Sequence, residues 1–281
     1  MAVKLRYTTP PLPFIGNKRN WLRLFAETVS ALPPSTVFVD AFGGSGILSR
    51  TAADACPGAR VIYNDYDGYA DRVAQIPVTN AILAELRALT SHLPKGAKVP
   101  DGVKAEGLRI IRGYRDLFGE IDETTLTANV AFSSRAIQGG TAEDVTWYAG
   151  IRQSDIPEAP DYVDGLEVVR ADFRELLARY GDDPAAVFIL DPPYLSTQCS
   201  AYGAYGGLVD TLTLLAGMRE RRYIYYSSDK SEVEALADFI KGYAGEGFDI
   251  FAGAERKERR VTLAKTAKGA VEYTDYMYIK I

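Results

Sequence analysis

The sequence predicts an α/β fold with a mostly parallel sheet, and three observations carry that expectation. Short apolar runs rich in β-branched and aromatic residues occupy positions 37–40, 61–65 and 187–191, and each ends in an acid at a turn, Asp40, Asp65 and Asp191. Such runs are too short for buried helices and are bounded by Gly, Pro, Asn or Asp, which is how strands buried on both faces read. Segments of helical periodicity lie between them, and alternation of strand and helix places the strands side by side in one direction.

Taken in order, residues 21–32 form the first helix, with Leu22, Phe25, Val29 and Leu32 at helical spacing. Strand 37–40 runs into a glycine-rich turn, and strand 61–65 follows. Two more buried strands are expected at 166–170 and 223–227, and a helix at 233–240. The end of the chain differs: 248–251 and 276–281 read as two strands joined by a long charged connection, an antiparallel hairpin at the sheet's edge. Residues from about 75 to 164 break the alternation. They offer helical candidates at 82–89, 108–117 and 126–132 and no core strand. The expected organisation is therefore a core of residues 1–74 and 165–281 and an inserted, mainly helical lobe of residues 75–164.

With 281 residues the chain is long enough to bury a sizeable core. His92 is the only histidine, so multi-histidine metal centres are excluded and no metal is expected. Cys56 and Cys199 are too few for a disulfide scaffold or a cysteine-rich zinc site, which points to a reducing compartment. No stretch approaches a signal-peptide core or a membrane span. The reading is a soluble, cytoplasmic protein with no membrane partner, monomeric or weakly dimeric. The net charge of −5 disfavours a protein that coats nucleic acid but leaves room for local basic patches.

Two motifs carry chemistry. Val39-Asp40-Ala41-Phe42-Gly43-Gly44-Ser45-Gly46 is a strand entering a glycine turn before a helix, where backbone approaches a ligand at the carboxyl edge of a parallel sheet. The spacing is not that of the dinucleotide-binding GxGxxG, which disfavours a nicotinamide oxidoreductase. Asp65, some twenty residues on, ends the next strand, where a carboxylate can take both hydroxyls of a ribose. The competing reading is a glycine turn demanded only by tight packing. The second motif, Asp191-Pro192-Pro193-Tyr194, follows an apolar strand. Two prolines remove two N–H donors and leave carbonyl oxygens free. Asp191 and the Pro192 carbonyl can accept from an amino group on a planar ring, and Tyr194 can stack on that ring.

In these motifs and their order the chain resembles the Dam-like DNA adenine N6-methyltransferases, which use S-adenosylmethionine. Pro13-Phe14-Ile15-Gly16-Asn17-Lys18 looks like that family's N-terminal cofactor motif, with Phe14, Gly16, Asn17 and Lys18 as the implied contacts. The turn with Asp40, Phe42, Gly44 and Gly46 looks like its glycine-rich motif, Asn64-Asp65 like its ribose-binding acid, and Asp172-Phe173 like its adenine-contacting motif. Asp191 to Tyr194 look like its catalytic tetrapeptide. Ala41 stands where the family usually has Pro.

The resemblance implies an S-adenosylmethionine-dependent methyltransferase with a Rossmann-like core, acting on double-stranded DNA with recognition by the inserted lobe. Asp40 would meet the cofactor's ammonium, Asp65 its ribose and Asp172 its adenine, and Lys18 would lie near the methionine end or the reacting base. A target adenine locked in duplex DNA must be flipped out, and Tyr194 would hold it; residues 196–207, with Tyr202 and Tyr205, are a candidate cover or a plain surface loop. Alternatives keep the chemistry and change the acceptor to cytosine N4, RNA adenine or a protein amide, or keep the binding and lose catalysis. Cys56, Cys199 and His92 read as structural or incidental. Charge supports DNA at the two ends of the chain: Lys4, Arg6, Lys18, Arg19 and Arg23 occur with no acid before residue 27, and six cations lie in 255–268. The lobe holds nine cations against thirteen acids. In it Lys104, Arg109, Arg112 and Arg115 recur as one helical face, either for DNA or simply solvated.

Overall fold

The computed structural model describes residues 3–14, 16, 18–131, 140–193, 207–245, 249–266 and 269–281, with backbone alone for 263–266 and 269–271. It is an α/β fold with a seven-stranded sheet in the order β3-β2-β1-β4-β5-β7-β6. The strands are β1 Val37–Asp40, β2 Arg60–Asn64, β3 Glu167–Val169, β4 Ala186–Leu190, β5 Tyr223–Ser228, β6 Glu255–Thr266 and β7 Gly269–Lys280. The helices are α1 Leu22–Ser30, α2 Ile47–Ala55, α3 Tyr69–Ala74, α4 Ile76–Thr90, α5 Asp101–Phe118, α6 Glu123–Val130, α7 Phe173–Tyr180, α8 Leu208–Met218 and α9 Val233–Ala244. β1 to β5 are parallel, and β7 runs antiparallel to both β5 and β6. This is a Rossmann-like arrangement, closed at one side by an antiparallel pair.

The chain divides into two compact units, one of Met1–Thr8, Lys18–Asp67 and Gly165–Ile281, the other of Thr9–Asn17 and Gly68–Asp164. The second unit thus takes in two segments, 9–17 and 68–74, beyond the 75–164 read from the sequence.

In the first unit the sheet is covered on both faces, which is why its central strands read as unbroken apolar runs. On one face Val39, Phe188, Leu190, Tyr223 and Tyr225 pack with Leu176 and Leu177 of α7, Leu214 and Met218 of α8, and Val233 of α9. Side chains alternate along a strand, so Phe38, Asp40, Val187, Ile189, Ile224 and Tyr226 point to the other face. There Trp21, just before α1, meets Tyr226 edge-on at 6.2 Å between ring centres, and Ser49 of α2 bonds Asp40.

Two expectations need correction. The segment 249–251 is a turn, and the charged connection is itself β-structure: β6 and β7 pair from Glu255↔Ile279 to Thr266↔Gly269. β6 is the sheet's edge, where exposed charged side chains replace the apolar alternation and discourage pairing with other chains. The strand at 166–170 shortens to β3 at the opposite edge, so Glu167 and Val168 are exposed rather than buried.

The second unit is mainly helical. Its core holds Tyr69, Ile82, Leu83, Leu86, Ile111, Leu126, Trp147 and Tyr162. Gly107 is required by close approach, since a Cβ there would lie 2.5 Å from the Trp147 ring. Trp147 satisfies its indole N–H with the Ala142 carbonyl at 2.7 Å.

Candidate active site

In a doubly wound sheet the ligand crevice opens where neighbouring strands send the chain off in opposite directions. Here that point lies between β1 and β4, and both motifs end there. Asp40 closes β1 opposite Ile189, and Asp191 follows two residues beyond, on the same face. Lys18 reaches across 173 residues of sequence to Asp191, with Nζ 2.6 Å from Oδ1 and 2.7 Å from Oδ2. The ammonium thereby occupies both oxygens of the carboxylate.

Burial raises the pKa of Asp191, and the neighbouring Lys18 ammonium offsets part of that. Burial pushes Asp40 up to about 7; the Ser49 hydroxyl, donating to Oδ2 at 2.6 Å, pulls it down, and the charge of Asp191 pushes it up again. Asp40 Oδ1 is buried and has no hydrogen-bond partner. Tyr226 lies on β5 one residue past the Leu190↔Tyr225 pair, beside Asp191, with Lys18 Nζ 5.8 Å from its ring centre. Asp275 of β7 stands opposite Ser228 and completes the cluster; burial raises its pKa and Lys18 lowers it.

The glycine turn is built against Tyr63. A Cβ on Gly43 would lie 2.4 Å from the Tyr63 ring and 2.9 Å from the Asn64 carbonyl oxygen, so packing demands this glycine. Gly44 and Gly46 have φ of 48° and 70°, the left-handed region. The Tyr63 hydroxyl is 2.8 Å from the Gly44 carbonyl oxygen and 3.1 Å from Asp65 Oδ1, and its one proton ties turn to acid. Arg170 lies 3.6 Å from the other Asp65 oxygen. Asn64 donates to the Ala41 and Ala171 carbonyls at 2.9 and 3.0 Å and accepts from the Ala171 N–H at 3.0 Å. Asp65 is therefore wholly buried in a satisfied network.

Phe42 and Phe173 pair with ring centres 5.4 Å apart. Asp172 caps α7, accepting from the Arg174 N–H at 2.8 Å and from its guanidinium at 2.7 Å. Pro192 is buried and Pro193 partly so, while Tyr194 and residues 195–206 lie outside the described residues. Phe14 and Gly16 belong to the second unit, where Phe14 meets the Tyr69 ring edge-on at 5.7 Å and Gly16 is exposed with φ of 81°; Asn17 lies outside the described residues. Among the described residues no cluster of His, Cys, Asp or Glu could hold a metal ion, and no helix is long and apolar enough to cross a membrane.

The basic face of α5 is neutralised inside its own unit. Lys104 donates to the Glu143 and Val145 carbonyls, Arg109 pairs with Glu106, Arg112 with Glu143 and Arg115 with Glu123. Of the terminal cations, Arg6 pairs with Asp54 and Arg259 donates to the Asn20 carbonyl, while Arg19 and Arg260 are exposed.

Sequence reasoning missed Tyr63, Tyr226 and Asp275. Tyr63 was accessible from the two-residue alternation that puts it on the face of Asp65. Tyr226 reads as one more apolar core position, and Asp275 reads as part of a charged connection.

No family model matches the chain. It is 33% identical over 290 residues to a Haemophilus influenzae protein described as "Putative methyltransferase", an alignment covering all of this chain and 95% of that one. The solved structure of a precorrin-6y C5,15-methyltransferase from Geobacter metallireducens aligns over 95% of this chain and 94% of its own with a TM-score of 0.37 and 11% identity.

Proposed function

The chain belongs to a methyltransferase family, and from that premise we propose that it methylates the exocyclic N6 of an adenine flipped out of double-stranded DNA, using S-adenosylmethionine. The observation that carries this reading is Asp191-Pro192-Pro193 placed directly after β4 at the switch point, with Asp191 beside Asp40 and already holding an ammonium group through both oxygens.

The residues at the switch point fit the cofactor. Asp40 has a buried oxygen without a partner, which a cationic α-amino group would satisfy. Asp65 is the candidate for the ribose, and Phe42, Phe173 and Asp172 for the adenine. When bound, the cofactor supplies an electrophilic sulfonium methyl group. The protein's part is to position the acceptor and manage its proton. Asp191 and the Pro192 carbonyl accept from the two amino hydrogens, which favours a pyramidal nitrogen with an available lone pair. A partly buried carboxylate with a raised pKa is suited to hold the proton that the nitrogen releases. No histidine is needed.

Phosphate contacts would come from exposed cations of the first unit such as Arg19 and Arg260. The second unit is the candidate for target recognition. A second reading keeps the enzyme and changes the amino acceptor; it is favoured by the four α5 cations being tied within their own unit. The deciding experiment incubates the protein with methyl-labelled cofactor and mixed duplex DNA and analyses the nucleosides. Label in N6-methyladenine that disappears with Asp191→Asn supports the first reading. Label confined to cytosine or to the protein itself, or no label with folded protein, overturns it.

A further inference from the structure

Lys18 presents a problem for the reaction that Tyr226 is placed to solve. Both oxygens of Asp191 are held by the Lys18 ammonium, at 2.6 and 2.7 Å. Each carboxylate oxygen has two lone pairs, so an acceptor amino group could share one with Lys18, but the ammonium would then sit beside the nitrogen on which positive charge develops, which favours its displacement. Asp275 lies near enough to feel the Lys18 charge and is a second carboxylate for the displaced cation. Asp191 would then lack one of its two contacts.

Tyr226 is completely buried, and its hydroxyl makes no hydrogen bond. A buried hydroxyl without a partner bears its full desolvation penalty, and such groups in native proteins call for an explanation. The ring is fixed by Trp21 at 6.2 Å and lies under Lys18. Burial holds the phenol far above its usual range, and Asp191 and Asp40 are both close enough to push it in the same direction. The hydroxyl is therefore a donor that does not ionise.

We propose that Tyr226 is a positioning residue whose hydroxyl takes over the Asp191 carboxylate when an acceptor amino group displaces Lys18. The exchange has a chemical purpose. As the acceptor nitrogen attacks, positive charge develops on it, and Asp191 stabilises that charge. An ammonium bound to Asp191 would oppose this; a neutral phenol holds the carboxylate in place without adding a competing charge. The inference rests on reading Asp191 as the carboxylate that binds the acceptor.

The test compares wild type, Tyr226→Phe, Lys18→Met and the double variant by thermal unfolding, together with methyl transfer by wild type and Y226F. In the wild-type background Y226F removes an unsatisfied group, so the melting temperature rises by about 2 °C. In the K18M background the hydroxyl has moved to Asp191, so the same substitution lowers it. Y226F also reduces kcat about tenfold or more, with cofactor affinity unchanged, because a hydrogen bond to a charged group is lost only when the acceptor is bound. An equal effect of Y226F in both backgrounds, or an unchanged kcat, overturns the inference; should the K18M proteins fail to fold, the kcat comparison decides. Sign reversal without transfer to adenine overturns the acceptor assignment and leaves the role of Tyr226 standing. Transfer to adenine without reversal or loss of kcat does the opposite.

Discussion

Asp65 and Asp191 both follow buried parallel strands, at the same edge of one sheet, yet their surroundings are built to opposite rules. Around Asp65 every polar group has been given work: Tyr63 ties the acid to the Gly44 carbonyl, Arg170 faces its other oxygen, and Asn64 bonds Ala41 and Ala171. Around Asp191 the account is left open. Lys18 is bound to Asp191 in a group of three acids of which Asp40 and Asp275 are buried, Asp40 Oδ1 and the Tyr226 hydroxyl have no partner, and burial raises the pKa of all three carboxyls. A saturated network fixes geometry. An unsaturated one stores the affinity that a ligand with the missing donors and charges will collect.

Breaking the open half should abolish chemistry while sparing the fold. Asp191→Asn keeps the volume and loses the charge, and methyl transfer should fall by about 10² to 10³, the scale seen for removing one preorganised electrostatic contact; the labelled-nucleoside assay checks it.

The next effect is one of pH. Asp40 titrates near its ordinary value of 3.8 when unfolded and at about 7 when folded. The folded state therefore holds the proton more tightly, so the stabilisation is fully present below pH 3.8 and is lost as pH rises toward and through 7. The loss is at most of order 4 kcal/mol. Melting curves of the ligand-free protein between pH 5 and 8 should show this decline, and Asp40→Asn should flatten it; an equal decline in the variant would remove Asp40 as the cause. Cofactor binding should run the other way, weakening below pH 7 because the ammonium needs an ionised partner, as calorimetric titration at two pH values would show.

Damage to the closed half should register first as stability. Gly43→Ala drives a methyl into Tyr63 and the Asn64 carbonyl, and should cost about 1–3 kcal/mol in denaturant unfolding. Smallest is Tyr63→Phe, which removes the tie between turn and acid for about 1 kcal/mol. It should weaken cofactor binding a few-fold with kcat unchanged. A kcat loss as large as that of D191N would erase the distinction between the halves.

The same contrast governs what could be read in advance. β1, β2, β4 and β5 were legible because burial on both faces leaves no polar alternation to obscure them. β6 and the first part of β7 were not, because charges there serve an exposed position, and only the pairing of the two strands with each other reveals them. The carboxylates of the site were legible one by one, as acids at strand ends. Their coupling was not: the contact of Lys18 with Asp191 depends on sheet order, which places residues 173 positions apart in one crevice. For Asp172 the helix cap is what the structure displays, and any contact with a cofactor would have to be made in addition to it.

β3 meets β2 through three residue pairs, at the edge of the sheet, after an excursion of about a hundred residues. In terms of chain entropy, the cost of closing a flexible excursion grows only with the logarithm of its length, about 0.6 kcal/mol for each doubling. The sheet is thus nearly indifferent to what the chain carries between Asp65 and Glu167. Material there can be lengthened or trimmed over evolutionary time while Asp40 and Asp191, held by β1 and β4, remain in register.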